Sequence, residues 1–198
     1  TTSGRTATIQ APGGTGALRV AAEFLAAAFP EAKIWCSRPT WPNHPGIFSA
    51  AGLEVAEYDY FDAASGTLDA QALLDSLAQI PAGDIVCLHA CCHNPTGVDP
   101  TPEQWQEVSR VIADGGLLPL VDFAYQGFGD GLEPDSAGLR ALAGPDCKLL
   151  VASSFSKNFG LYRERVGALS VVTGDPDTAA VVLSRLKQTI RANYSNPP

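Results

Sequence analysis

From end to end, stretches with helical spacing of apolar residues alternate with short apolar runs, and no long linker or repeat interrupts them. Alternation of this kind constrains the fold strongly, because strands separated by helices cross over and pair in parallel. In 15-TGALRVAAEFLAAAF-29, Leu18, Ala22, Leu25 and Phe29 recur on one helical face behind Thr15, which reads as the cap. Strand-like runs follow at 33–37 and 55–60. The segment 67-TLDAQALLDSLAQI-80 sets Leu73, Leu74, Leu77 and Ile80 on one helical face, and Pro81 with Gly83 stops it. Next come a strand at 84–90, a helix over 102–116 with Pro102 in its first turn, and a buried strand at 117–123. Strands at 148–153 and 166–172 precede a last helix near 177–190, with Val182, Leu183, Leu186 and Ile190 inward. The expected fold is one α/β domain, a mostly parallel sheet with helices on both faces.

Composition narrows the function. A chain of 198 residues with 45% hydrophobic and 17% charged residues can bury a substantial core. A net charge of −8 argues against nucleic acid or an anionic membrane as the main partner. No apolar run is long enough to span a bilayer, and the first residues do not resemble a signal peptide. The five cysteines are odd in number and sit mostly in strand-like segments, which points to reduced thiols and a cytoplasmic protein. The chain opens at Thr1, contains no methionine and stops at 193-NYSNPP-198, so it is expected to be an internal piece of a longer protein.

Several short stretches carry residues suited to chemistry. In 153-SSFSKNFG-160, Lys157 follows the strand 148-KLLVAS-153, among small hydroxyls and between Phe155 and Phe159. Open α/β sheets bind ligands at the carboxyl ends of their strands, although a lysine there also serves as a plain snorkelling loop residue. In 11-APGGTGALR-19, Gly13, Gly14 and Thr15 stand at a helix start, where free N–H groups favour an anion such as phosphate. The same residues serve equally as ordinary capping chemistry. Asp122 ends an apolar strand, where a carboxylate needs a cation or several donors, and Tyr125 follows three residues on. Cys87, His89 and Cys91 alternate along one strand, but a period-2 trio does not readily surround a zinc ion, and no metal is expected. Asn94 opens the turn 94-NPTG-97, Trp41 lies just beyond a strand, and Arg165 comes shortly after Lys157. His44 reads as a hydrogen-bonded structural histidine. Together these are the parts that pyridoxal phosphate (PLP) demands: a nucleophilic lysine, an anion cradle, a carboxylate for a pyridinium nitrogen, partners for a phenolate, and an aromatic plate.

The order and spelling of the motifs GGTGALR, TWPNH, HNPTG, DFAYQGF, SSFSKNFGLYRERVG and RANYSNPP resemble those of the aspartate and aromatic aminotransferases, class I of the fold-type I PLP enzymes. The resemblance implies PLP-dependent, ping-pong transamination between an L-amino acid (aspartate, glutamate or an aromatic one) and a 2-oxo acid. It implies that Lys157 forms the Schiff base and shuttles the proton, and that Asp122 keeps the pyridine nitrogen protonated. Tyr125 and Asn94 would bind the phenolic oxygen, and Trp41 would stack on the ring. Gly14, Thr15, Ser154 and Arg165 would hold the phosphate, with Ser156 assisting. Trp41 and Asn94 would also face the substrate, and Arg191 would reach across a homodimer interface to its distal carboxylate. Residues 1–198 would then be the PLP-binding large domain, without the N-terminal arm and C-terminal small domain of the family. The alternatives are another PLP-dependent lyase or synthase and a non-catalytic PLP-sensing regulator.

Overall fold

In the computed structural model of the chain, residues 4–195 are described. Strand β1 (Thr6–Pro12) leads directly into helix α1 (Gly13–Ala28), followed by β2 (Lys33–Arg38), α2 (Asn43–Ala50) and β3 (Glu54–Asp59). A small hairpin of β4 (Phe61–Asp62) and β5 (Thr67–Leu68) precedes α3 (Ala70–Ala78) and β6 (Ile85–His89). Then come α4 (Pro102–Asp114), β7 (Leu118–Phe123), a short 3-10 turn, α5 (Ala137–Leu142), β8 (Leu149–Ser154), β9 (Val166–Val172) and α6 (Pro176–Asn193).

Seven strands form one sheet in the order β1-β9-β8-β7-β6-β2-β3. The five from β8 to β3 pair in parallel, and β9 runs antiparallel to both of its neighbours, as the alternation led one to expect of a mostly parallel sheet. Every residue of β6 is buried, which is what coverage on both faces does to a central parallel strand. One apolar cluster joins α1, α2 and α6 to one face, through Leu18, Leu25, Phe48 and Leu186. A second joins α3, α4 and α5 to the other, through Leu73, Leu77, Trp105, Val108 and Leu142.

Four differences from the sequence reading have clear causes. Strand β1 escapes notice because its inward positions are Ala7, Ile9 and Ala11, too small to stand out as an apolar run. Helix α1 starts two residues before Thr15, behind Pro12, and no side chain caps it, so Thr15 lies inside the first turn. The helix read over 67–80 begins only at Ala70, because Thr67 and Leu68 pair with the β4 strand and Asp69 accepts the Ala72 N–H as the true cap. Helix α2 gives no helical signal in the sequence, since 42-PNHPG-46 carries two prolines and a glycine.

The strand β9 lies against the entrance of α1 with no room to spare. A Cβ placed on Gly167 would come within 2.5 Å of the Gly13 carbonyl carbon and 2.8 Å of the Ser153 oxygen, both backbone atoms that cannot swing aside. Gly167→Ala is therefore expected to lower stability by about 1–3 kcal/mol, measured by urea denaturation, whereas Gly46→Ala, with open space around it inside α2, is expected to raise the midpoint slightly.

Candidate active site

A cleft of about 150 Å³ opens at the carboxyl ends of β2, β6, β7 and β8, four strands adjacent in the sheet. Its lining includes Gly14, Thr15, Trp41, Asn94, Asp122, Tyr125, Ser154, Ser156, Lys157 and Arg165, along with Leu18, Ala124 and Tyr162. Strand direction explains the gathering. Parallel neighbours end on the same edge, so the residues that finish each strand meet there however far apart they stand in sequence.

One end of the cleft is built for an anion. The first turn of α1 has no side-chain cap, which leaves its N–H groups directed at the cleft with the positive end of the helix dipole. Ser154 stands against Gly14 so closely that a Cβ on the glycine would be 3.0 Å from the serine Cβ. The Arg165 guanidinium lies over Gly13, where a Cβ would meet Nη2 at 2.4 Å. Arg165 itself has a left-handed φ of 52°, uncommon outside glycine, and donates to the Tyr162 and Pro12 carbonyls and to Ser156 Oγ. Glycine at 13 and 14 is thus what lets a cation and a hydroxyl close around the helix end.

At the other end lies Asp122, which is 7% exposed at the end of β7. Its Oδ2 accepts from His44 Nε2 at 3.1 Å, while Oδ1 has no partner among the described residues. A buried carboxylate oxygen without a donor is costly, so this atom calls for a donor from a group that enters the cleft. Because the carboxylate only accepts, the neutral His44 ring carries its proton on Nε2 and accepts from the Thr40 hydroxyl at Nδ1, 2.8 Å away. Trp41 meets the edge of the His44 ring with centroids 5.3 Å apart.

Between these ends, the half-buried Lys157 places Nζ 4.6 Å from the centroid of the Tyr125 ring. Burial, and then the Asp122 carboxylate, push the Tyr125 phenol above its ordinary value, with Asn94 acting the other way. The hydroxyl therefore stays protonated near neutrality and remains a donor. Arg191 is the exception among the residues singled out from sequence. It is exposed on the last turn of α6, donates to Ser195 Oγ at 2.6 Å, and does not line the cleft. Sequence reasoning missed Tyr162 as a lining residue, and His44 is the hydrogen-bonded, buried histidine expected, with Asp122 as the partner that the sequence did not reveal.

The chain belongs to the aminotransferase class I and II family, whose model matches residues 1–198. It is 58% identical over 194 residues to the aspartate aminotransferase of Salmonella typhi, covering 98% of this chain and 49% of that protein. To the aromatic-amino-acid aminotransferase of Escherichia coli it is 50% identical, over 98% of this chain and 49% of that one. Among solved structures, the aromatic-amino-acid aminotransferase from Burkholderia pseudomallei, described as covalently bound to pyridoxal phosphate, superposes with a TM-score of 0.96 at 50% identity, covering 99% of this chain and 49% of that one. The chain thus spans about half the length of the relatives it matches.

All three histidines of the sequence lie in a row behind the cleft, with ring centroids 5.1 Å apart for His44 and His89 and 4.5 Å apart for His89 and His93. Burial pulls His89 down to about 4, with Asp122 opposing and His44 adding to the fall. Burial and then the neighbouring rings pull His93 to about 3. Unfolded histidines titrate at about 6.5, so between that pH and 4 the unfolded chain binds protons that the folded one refuses. Stability is expected to fall as pH drops from 7 to 5, seen as a lower urea midpoint, and the His89 and His93 imidazole NMR signals should not titrate above pH 5.

Proposed function

We propose that the whole protein is a PLP-dependent aminotransferase, moving an amino group between an L-amino acid (aspartate, glutamate or an aromatic one) and a 2-oxo acid. The observation that carries the reading is the unpartnered Asp122 Oδ1, facing the same cleft as Lys157 and an uncapped helix start. These residues fit the cofactor. A protonated pyridine nitrogen answers the orphaned oxygen, a phosphate answers the N–H groups of α1 with Ser154 and Arg165, and Trp41 offers a flat face for the ring. When bound, PLP supplies an aldehyde that condenses with amines and a ring that withdraws electrons from the adjoining carbon.

The chain's own residues divide the remaining work. Asp122 holds a positive charge on the ring nitrogen, and His44 keeps the carboxylate aimed through its Nε2 proton. Tyr125 and Asn94 donate to the phenolic oxygen. Lys157, the one lysine lining the cleft, holds the cofactor, and once released it serves as the base that moves the proton at the substrate Cα. Ser156 steadies the phosphate end through its contact with Arg165. Arg191, on an exposed helix end, belongs in this reading to the cleft of a partner subunit in a homodimer, where its guanidinium takes a distal carboxylate. The chain itself would be the cofactor-binding large domain of a cytoplasmic enzyme.

Two measurements on the full-length protein test the proposal. After incubation with PLP and reduction with borohydride, peptide mapping is expected to find the label on Lys157 alone. Label spread over Lys33, Lys148 and Lys187 would overturn the assignment. Arg191→Leu is expected to raise KM for aspartate by roughly 100-fold, the loss of one partner of a paired charge, while KM for phenylalanine changes little.

A further inference from the structure

Beneath the cleft floor, buried side chains converge with more polar atoms than their surroundings satisfy. Neither ring nitrogen of His89, which is 6% exposed, has a partner among the described residues, and Asp122 Oδ1 has none either. One ligand atom each from His44, His89 and Asp122 all lie within 4.8 Å of one another. Register produces this meeting. His89 and Asp122 are direct neighbours across β6 and β7, so both side chains leave the sheet on one face, and α2 brings His44 down onto them. Cys87, two residues before His89 on that face, has its Sγ 4.0 Å from His44 Nε2. Cys87, His89 and Cys91 do not encircle a cation by themselves. Cys91 instead groups with Cys92 and Asp135, and the missing donors come from β7 and α2.

We propose that His44, His89 and Asp122, with Cys87 as a fourth donor, bind one divalent cation of the zinc class when the cleft holds no cofactor, and that cation and cofactor compete for Asp122. Two imidazoles, a carboxylate and a thiol suit zinc, whereas magnesium and calcium favour all-oxygen sets. With ligands at ~2.1 Å, a tetrahedral zinc spaces its donors by about 3.4 Å. Atoms already within 4.8 Å reach that spacing by side-chain adjustment. Uptake moves the His44 proton from Nε2 to Nδ1, where the Thr40 hydroxyl accepts it, and the Cys87 thiol proton leaves to solvent when sulfur joins. The Cys91, Cys92 and Asp135 group is poorer, because both Asp135 oxygens already accept backbone N–H groups.

The competition rests on the aminotransferase reading, but the site does not, and one titration separates them. Cofactor-free full-length protein is titrated with Co²⁺ as a spectroscopic stand-in for Zn²⁺, with bound metal also measured by elemental analysis. One equivalent per chain with tetrahedral bands is expected, with a sulfur charge-transfer band that Cys87→Ser removes. His89→Asn, checked for folding by circular dichroism, is expected to weaken binding by roughly 10–100-fold, while Cys92→Ser leaves it unchanged. Adding PLP is expected to release the ion. Absence of saturable binding, or binding that survives His89→Asn and is lost in Cys92→Ser, would overturn the site. Cofactor uptake with the ion retained would overturn the competition. If PLP never enters the protein, the aminotransferase reading fails, while stoichiometric Co²⁺ lost in His89→Asn upholds the site.

Discussion

A carboxylate at the end of a buried strand governs this architecture. Asp122 sits where an ion is expensive to keep, and its neighbours meet only part of the cost: His44 satisfies one oxygen and the other is left for something that enters the cleft. The surrounding framework makes that arrangement tolerable. Parallel pairing aligns the ends of β2, β6, β7 and β8, so that the acid, the amide of Asn94, the hydroxyl of Ser154 and the aromatic Trp41 share one mouth. The α2 helix, fixed by the burial of Phe48, lowers an imidazole onto the acid from behind, and His44 stacks on Phe48 with ring centroids 5.5 Å apart.

The opposite end of the cleft obeys a different logic. There the backbone does the recognising, and side chains are kept small so that it can. Glycine at 167 lets β9 approach the start of α1 more closely than a Cβ would allow, and glycines at 13 and 14 leave room for the Arg165 guanidinium and Ser154. An uncapped helix start, usually a weakness, becomes a set of donors held in place by the packing of α1 against β8 and β9. The two ends are complementary in charge, positive around the helix start and negative at Asp122, with Lys157 and Tyr125 between them.

Much of this was legible in the sequence, for reasons that differ by element. Helices α1, α4 and α6 and strands β6, β7 and β8 announce themselves through long apolar periodicity or unbroken apolar runs, and their ends fall within a few residues of the expected places. Strand β1 and helix α2 do not, since one is built on alanines and the other opens among prolines. The cleft residues were legible because strand ends are where a parallel sheet places its ligands, and Asp122, Asn94, Ser154 and Lys157 all stand at or just past such ends. Hidden from sequence was everything that depends on register. The contact of His44 with Asp122 spans 78 positions, and His89 meets Asp122 only because β6 and β7 pair as they do. Arg191 shows the converse, since its motif is distinctive but this chain alone gives it no place in the cleft.

The central claim is that the free oxygen of Asp122 exists to keep a ring nitrogen protonated. The most direct measurement is the ¹⁵N NMR shift of ring-labelled PLP bound to the full-length protein, compared between the native protein and Asp122→Asn. A pyridinium shift in the native protein that moves to the neutral pyridine position in the variant is the expected result. A neutral pyridine shift in both would contradict the account, because Asp122 would then be holding no charge on the ring.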